Sequence, residues 1–299
     1  MAGELAVVTG AFSYTGRYIA ERLLAEGVTV RTLTRKTGAG HPLEGMIEVA
    51  PYAFGDPDAL AKSLRGARVL YNTFWIRFPT ATVTFEDAVA RTKGLFTAAR
   101  EAGVARAVQL SVTNASERSP FSYFRAKGIV ERELRSSNLS HAIVRSTLVA
   151  GREDILLNNV AWFLRRFPLF ALPGDGRYRV QPVLAEDVAE IAVAAGSHSD
   201  DVTLDAAGPE TYEFEELVRM IASIVGSRSR VVHVPRGVAH GLGRVAGAAL
   251  RDTVLTREEL DALMASALTS DEPPAGHRSL RKWLEENAAE IGTRYAGPR

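Results

Sequence analysis

The stretch Leu5-Ala6-Val7-Val8-Thr9-Gly10-Ala11-Phe12-Ser13-Tyr14-Thr15-Gly16 decides the fold. The apolar run Leu5–Thr9 reads as a strand that ends at a glycine. A helical pattern follows over Tyr14–Glu26, with Ile19, Leu23 and Leu24 at helical spacing and Gly27 as its stop. A strand that turns through glycine into a helix opens a strand–helix–strand unit, which gives a glycine pair its meaning. Gly10 permits the tight turn off the strand, and Gly16 lets the helix pack closely on the sheet. Phe12, Ser13, Tyr14 and Thr15 surround the helix N-terminus. The amides from about Ser13 to Thr15 would give a pyrophosphate hydrogen bonds and the favourable end of the helix dipole. The middle position, often glycine in such turns, is Ser13, so the loop must avoid positive φ there. The same turn also serves as a plain strand-to-helix connection, and this motif alone leaves both readings open.

Outward from the turn, short apolar runs alternate with helical patterns. Val28–Thr34, Ile47–Ala50, Arg68–Thr73, Ala105–Leu110 and His141–Arg145 read as strands. A helix starts at Asp56-Pro57, another spans Phe85–Ala102 and ends at Gly103, and a third spans Tyr123–Arg135. This alternation predicts an α/β chain with a Rossmann-type, doubly wound parallel sheet. After about residue 150 the pattern becomes mostly helical, over Asp154–Arg166, Ala185–Ala195, Phe214–Val225, Leu255–Leu268 and Leu280–Ile291. The expected organisation is a dinucleotide-binding domain over 1–150 and a smaller, mostly helical substrate-side part over 151–299, interleaved with the sheet domain.

Composition removes several classes of function. The chain has 299 residues, 46% hydrophobic and 24% charged, the balance of an ordinary globular protein. Thirty-six Lys and Arg face 35 Asp and Glu, so the net charge of +1 leaves no footprint for nucleic acid. The absence of cysteine excludes disulfides, thiolate metal sites and cysteine nucleophiles. The six histidines form no HxH or HxxxH pair, so no metal site is expected. No signal-peptide pattern opens the chain, and no apolar run approaches the roughly 20 residues of a membrane span. The nearest, Gly237–Leu250, is interrupted by His240 and Arg244. A cytoplasmic protein with a small-molecule substrate is expected, its oligomeric state open.

Two further places carry chemistry. At the end of the second strand, Thr34-Arg35-Lys36 stands where an acid would bind both ribose hydroxyls of an adenosine. Arg35 offers a fork for a 2′-phosphate and Lys36 adds charge, so NADP(H) is expected in preference to NAD(H); a solvated basic turn is the other reading. In Tyr123-Phe124-Arg125-Ala126-Lys127 the tyrosine and lysine share one helix face. A phenol of pKa near 10 is a poor base. An ammonium about 4 Å away favours its phenolate by about 4 kcal/mol at an effective dielectric of about 20, roughly three pKa units. The pair also occurs as an ordinary surface contact. Trp75, with Phe74, Arg77 and Phe78, is an aromatic cluster that reads as packing or as a wall of a ligand cleft. Trp162 to Arg166 reads as a packed helix or as a helix whose arginine edge touches a partner or a quinone-bearing membrane.

Taken in order, these segments resemble the short-chain dehydrogenase/reductase superfamily, near its atypical or extended, NmrA-like and NDUFA9-like members. The resemblance runs through TGAFSYTG, VRTLTRK, VLYNTF, AVQLSVTNAS and YFRAKGIVEREL, then IVRSTLVAGRED, RYRVQPVLAEDVAEIA and LDAAGPETYEFEELVRMIA, nearly the whole chain. It implies a phosphate turn at Gly10, Ser13 and Gly16 and a 2′-phosphate contact at Arg35. Asn72, Thr73 and Phe74 would lie beneath adenosine and ribose. Tyr123 and Lys127 would be the catalytic pair, with Lys127 also on the ribose. Ser111 or Thr113 would polarise a substrate oxygen, and Ser146, Thr147 and Leu148 would line the nicotinamide side. The segment from Thr113 to Tyr123 is shorter than in many active extended members. The resemblance implies an oxidoreductase or epimerase-like enzyme using hydride transfer. The alternative it carries is a cofactor-binding sensor or assembly subunit without turnover.

Overall fold

The run ending at Thr9 is an interior strand of a seven-stranded, wholly parallel sheet. The computed structural model describes residues 3–34 and 38–297. In chain order the first elements are β1 (Leu5–Thr9), α1 (Tyr14–Ala25), β2 (Thr29–Thr34), β3 (Glu48–Pro51), α2 (Pro57–Leu64) and β4 (Ala67–Asn72). They continue with α3 (Phe85–Glu101), β5 (Arg106–Val112), α4 (Ser122–Arg135) and β6 (Ser140–Ser146). The chain then forms β7 (Leu148–Ala150), α5 (Ile155–Arg166), β8 (Leu169–Pro173), β9 (Arg179–Val180) and β10 (Pro182–Leu184). It returns to the sheet as α6 (Ala185–Ser197) and β11 (Val202–Ala206). It ends with β12 (Tyr212–Glu213), α7 (Phe214–Ile224), β13 (Arg230–Val234), α8 (Arg236–Leu250), α9 (Arg257–Met264) and α10 (Leu280–Glu286).

The strand order is β11-β6-β5-β4-β1-β2-β3. The winding reverses between β1 and β4, and in such sheets the crevice beyond the carboxyl ends at that reversal is the ligand site. One face of the sheet is apolar against three helices. Val7, Leu33, Leu70, Ala107 and Ile143 pack with Leu60 and Leu64 of α2, Leu95 and Phe96 of α3, and Val130 and Leu134 of α4. Helices α1 and α6 cover the opposite face. Helix starts follow local chemistry. Asp56 accepts from Ala59 N with Pro57 in the first turn of α2, and Thr84 and Asp87 close a capping box on α3.

Two compact units divide the chain, one of Met1–Ser146 with Ala185–Ala206, the other of Thr147–Leu184 with Ala207–Arg299. The buried Arg106 helps hold α6 in the first unit, donating to the carbonyls of Ala195, Ser199 and Asp200. The second unit has its own core, including Leu157 and Leu164 of α5, Leu217 and Ile221 of α7, Leu263 of α9 and Leu284 of α10. It also contains three two-stranded sheets, β10-β7, β12-β9 and β13-β8, which the helical reading of this region did not anticipate. Helices α9 and α10 are shorter than the patterns Leu255–Leu268 and Leu280–Ile291. At the end of α9 the left-handed Ser266 (φ +54°) turns the chain, and α10 closes at Asn287. No helix among the described residues is long and apolar enough to cross a membrane.

Candidate active site

The glycine turn closes on a backbone hydrogen bond, and Ala11 N donates to Thr32 Oγ1 at 3.0 Å. Gly10 sits at φ +70°, its carbonyl accepts from Ser13 N at 2.8 Å, and Ser13 is extended at φ −121°. A Cβ at Gly16 would stand 2.3 Å from the Gly10 carbonyl oxygen and 3.1 Å from Thr73 Oγ1. Gly16 therefore lets α1 pack onto its own turn, a closer contact than the helix–sheet packing that the spacing predicts. Ser13 caps α1 without a side-chain hydrogen bond, and no acid lies in the first helical turn. The positive end of α1 is thus left for an anion.

Across the reversal, a buried polar chain ties the turn to the strands beside it. Thr9 Oγ1 donates to Asn72 Oδ1 (2.8 Å) and accepts from the amides of Thr73 (2.8 Å) and Phe74 (3.1 Å). Asn72 Nδ2 donates to Gln109 Oε1 (2.7 Å), and Gln109 Nε2 donates to the Leu110 carbonyl (2.6 Å). That same carbonyl accepts from Lys127 Nζ at 2.9 Å. Thr9, Asn72 and Gln109 are fully buried, so each polar atom in the chain needs the partner it has.

Lys127 is 4% exposed and lies over the Trp75 ring at 4.4 Å. Burial brings its pKa down to about 7, against a smaller upward pull from Glu131. Burial thus makes costly the ammonium that the tyrosine–lysine spacing calls for. The Tyr123 ring meets Trp75 edge-on at 6.2 Å, with Phe85 at 5.9 Å and Phe124 at 5.7 Å. Trp75 thus touches both the tyrosine and the lysine. Its indole N–H is buried with no hydrogen-bond partner among the described residues, a donor whose desolvation nothing there offsets. The short segment between Thr113 and Tyr123 folds tightly over α4. A Cβ at Gly128 would stand 2.5 Å from the Ser116 carbonyl carbon.

The hydroxyls expected beside the tyrosine are both committed. Ser111 Oγ donates to Glu131 Oε1 (2.7 Å) and Thr113 Oγ1 to Asp205 Oδ2 (2.9 Å). A hydroxyl has one proton, so neither gives it to a third group in this arrangement. Phe74 joins Tyr52 and Phe54 in an aromatic stack, with Arg91 over Phe54. Phe12 contacts His41 at 4.9 Å, and a Cβ at Gly38 would run into the Phe12 ring. Arg35 and Lys36 lie outside the described residues. Ser146 Oγ donates to the Ser111 carbonyl at 3.2 Å. Thr147 and Leu148 belong to the second unit, where Leu148 opens β7 and pairs with Pro182.

Residues 10–154 match a family of NAD(P)H-binding domains. The chain is 28% identical over 296 residues to NADH dehydrogenase (ubiquinone) 1 alpha subcomplex subunit 9, mitochondrial, of Arabidopsis thaliana, covering 91% of this chain and 72% of that protein. The Rattus norvegicus protein of the same name is 27% identical over 287 residues, covering 92% and 75%. Among solved structures, Citrobacter sp. triphenylmethane reductase complexed with NADP(H) aligns at TM-score 0.76 with 19% identity, over 95% of this chain and 99% of that one. Escherichia coli NADPH-dependent quinone oxidoreductase QOR2, complexed with NADPH, aligns at 0.71 with 19% identity, over 98% and 97%. Over residues 10–154 the chain is thus similar to NAD(P)H-binding domains, and this match is of the kind that the resemblance to atypical short-chain dehydrogenases/reductases implies.

Some of what shapes this site was not read from the sequence. Thr9, Gln109 and Glu131 were passed over. For Glu131 a signal existed, since Tyr123, Lys127 and Glu131 stand at i, i+4 and i+8 on one helix face. Glu131 is 1% exposed and accepts from Arg145 Nε (2.9 Å) and Nη2 (2.6 Å), besides Ser111. Thr9 and Gln109 gave no signal, because single polar residues in apolar strands match no motif.

Proposed function

We propose that the protein is an NADPH-dependent oxidoreductase acting on a small carbonyl or alcohol. The observation that carries this reading is the grouping of Tyr123, Trp75 and Lys127, with Lys127 tied through buried hydrogen bonds to Thr9 before the glycine turn. Gly10 to Gly16 would hold the pyrophosphate, and the nicotinamide would supply a hydride to the substrate carbon. Tyr123 gives its phenolic proton to the carbonyl oxygen, or takes it back in the reverse direction. Lys127, while protonated, favours the phenolate. The Trp75 N–H orients the same substrate oxygen, the duty that the family pattern gives to Ser111 or Thr113. Gly38, two residues beyond Lys36 in the sequence, is seated on Phe12 of the turn. Arg35 and Lys36 favour NADPH through a charge-assisted contact of about 1.5–3 kcal/mol, roughly 10- to 150-fold in affinity.

A second reading has its own support. The Ser111 and Thr113 protons go to carboxylates, and curated relatives are by name subunits of NADH dehydrogenase. On that reading the chain binds the cofactor and turns nothing over. A screen of NADPH and NADH oxidation against quinones, aldehydes and sugar nucleotides separates the two, with titration of both cofactors into wild type and Arg35→Ala. Turnover with NADPH supports the enzyme. Tight NADPH binding with silence across the screen supports the subunit.

A further inference from the structure

Among the described residues, nothing covers the apolar side of the surface helix α8. Of its fifteen residues only Gly247 is buried. Val238, Leu242 and Val245, at i, i+4 and i+7, are 48%, 48% and 70% exposed, and Ala249 continues the stripe in the open. Scattered exposed apolar residues are normal, but an aligned stripe on one helix is not. The helix also holds four glycines, at 237, 241, 243 and 247. Each costs about 1 kcal/mol against alanine, so intrinsic propensity does not explain it.

The charge along this stretch of sequence is one-sided, with acids only at its ends, where Asp252 follows α8 and Asp261 pairs with Arg236. From Leu217 to Arg251 there is no Asp or Glu, while Arg219, Arg228, Arg230, Arg236, Arg244 and Arg251 all fall in this span. Arg219 is paired with Glu215 and Arg236 with Asp261. Arg228, Arg230, Arg244 and Arg251 are exposed. In a chain of net charge +1 this is a strong local asymmetry. The arginines of α5 are different: Arg165 and Arg166 donate to carbonyls of Val225, Ala288, Ile291, Gly292 and Thr293, and so pack their own unit.

We propose that α8 lies on an anionic lipid surface, its Val238–Leu242–Val245 stripe in the interface and Arg244 and Arg251 on the headgroups. A stripe of aliphatic side chains beside positive charge matches a surface that is negative outside and apolar beneath. A second copy of the chain would bring arginine against arginine. The exposed stripe has no aromatic ring or hydrogen-bonding anchor of the kind that concentrates binding energy at protein interfaces.

The test is co-sedimentation of the full chain with vesicles of phosphatidylcholine alone and with roughly a third phosphatidylglycerol. Retention is expected on the anionic vesicles only, and is expected to fall as salt rises. Arg244→Glu should weaken it at least about fivefold, and Leu242→Glu with Val245→Glu should abolish it. These positions are exposed, so folding, checked by circular dichroism, and NADPH affinity should be unchanged. Absence of retention by the folded wild type at low salt overturns the proposal. Equal retention on neutral vesicles overturns it too, as does a dimer in light scattering that Leu242→Glu dissolves.

Discussion

Lys127 carries two demands that pull apart. Its position over Trp75 excludes water, and that exclusion lowers its pKa to about 7. The unfolded chain keeps this proton until about pH 10.4. Between these values the unfolded state binds more protons, so stability contributed by this group rises with pH, by up to about 1.4 kcal/mol per unit. Below pH 7 both states hold the proton and the folded one bears a desolvated charge. Chemical denaturation at pH 7 and pH 9 should show this gain in wild type and lose it in Lys127→Met, whose own curve isolates the other groups. Parallel curves would mean that the lysine stays protonated. Trp75 is the second residue-scale case. Trp75→Phe keeps a ring for Lys127 and Tyr123 but removes the orphan N–H. It should lower kcat/KM about tenfold, the magnitude of one lost hydrogen bond, with NADPH affinity unchanged. An unaltered kcat/KM would remove the indole from the substrate.

At the scale of elements, α4 and the β1–α1 turn position the chemistry. Tyr123, Lys127 and Glu131 line one face of α4, and Glu131 ties that face to β5 through Ser111 and to β6 through Arg145. Glu131→Gln leaves Arg145 without its carboxylate. Because the Arg145 side chain is a quarter exposed, the expected cost is about 2 kcal/mol, below the figure for a fully buried pair. The same change removes the upward pull of Glu131 on Lys127, so the Lys127-linked step in a pH profile should move to lower pH. In the turn, Gly16→Ala sets a methyl 2.3 Å from a backbone carbonyl that no side-chain rotation can clear. It should destabilise by about 1–3 kcal/mol and weaken NADPH binding at least about tenfold, read by thermal melts and titration. These elements were legible because each carries a periodic pattern with a clear stop, as at Gly27 and Gly103. Their polar ties were not. Gln109 and Thr9 act through partners distant in sequence, and no local spacing records such contacts.

At the scale of the whole molecule, the doubly wound sheet was legible from strand–helix alternation in the first half, and its reversal at β1/β4 places the glycine turn beside Thr73. The seventh strand, Val202–Ala206, was not foreseen. It is a short edge strand of half-exposed residues, without the continuous apolar run of a central one. The small sheets of the second unit were missed for a similar reason, since strands of two to five residues are too short to show a period. Of the candidate site, the tyrosine, lysine and glycines stood out by spacing. The orphan indole and the commitment of Ser111 and Thr113 to carboxylates required coordinates.

The central claim is that Tyr123 transfers the proton in an NADPH-dependent reduction. The most direct test is steady-state NADPH oxidation by Tyr123→Phe beside wild type, on a carbonyl substrate the wild type accepts. The account predicts a rate lower by about 10² to 10⁴, with NADPH affinity nearly unchanged because the ring still packs on Trp75. Undiminished turnover in Tyr123→Phe would contradict it.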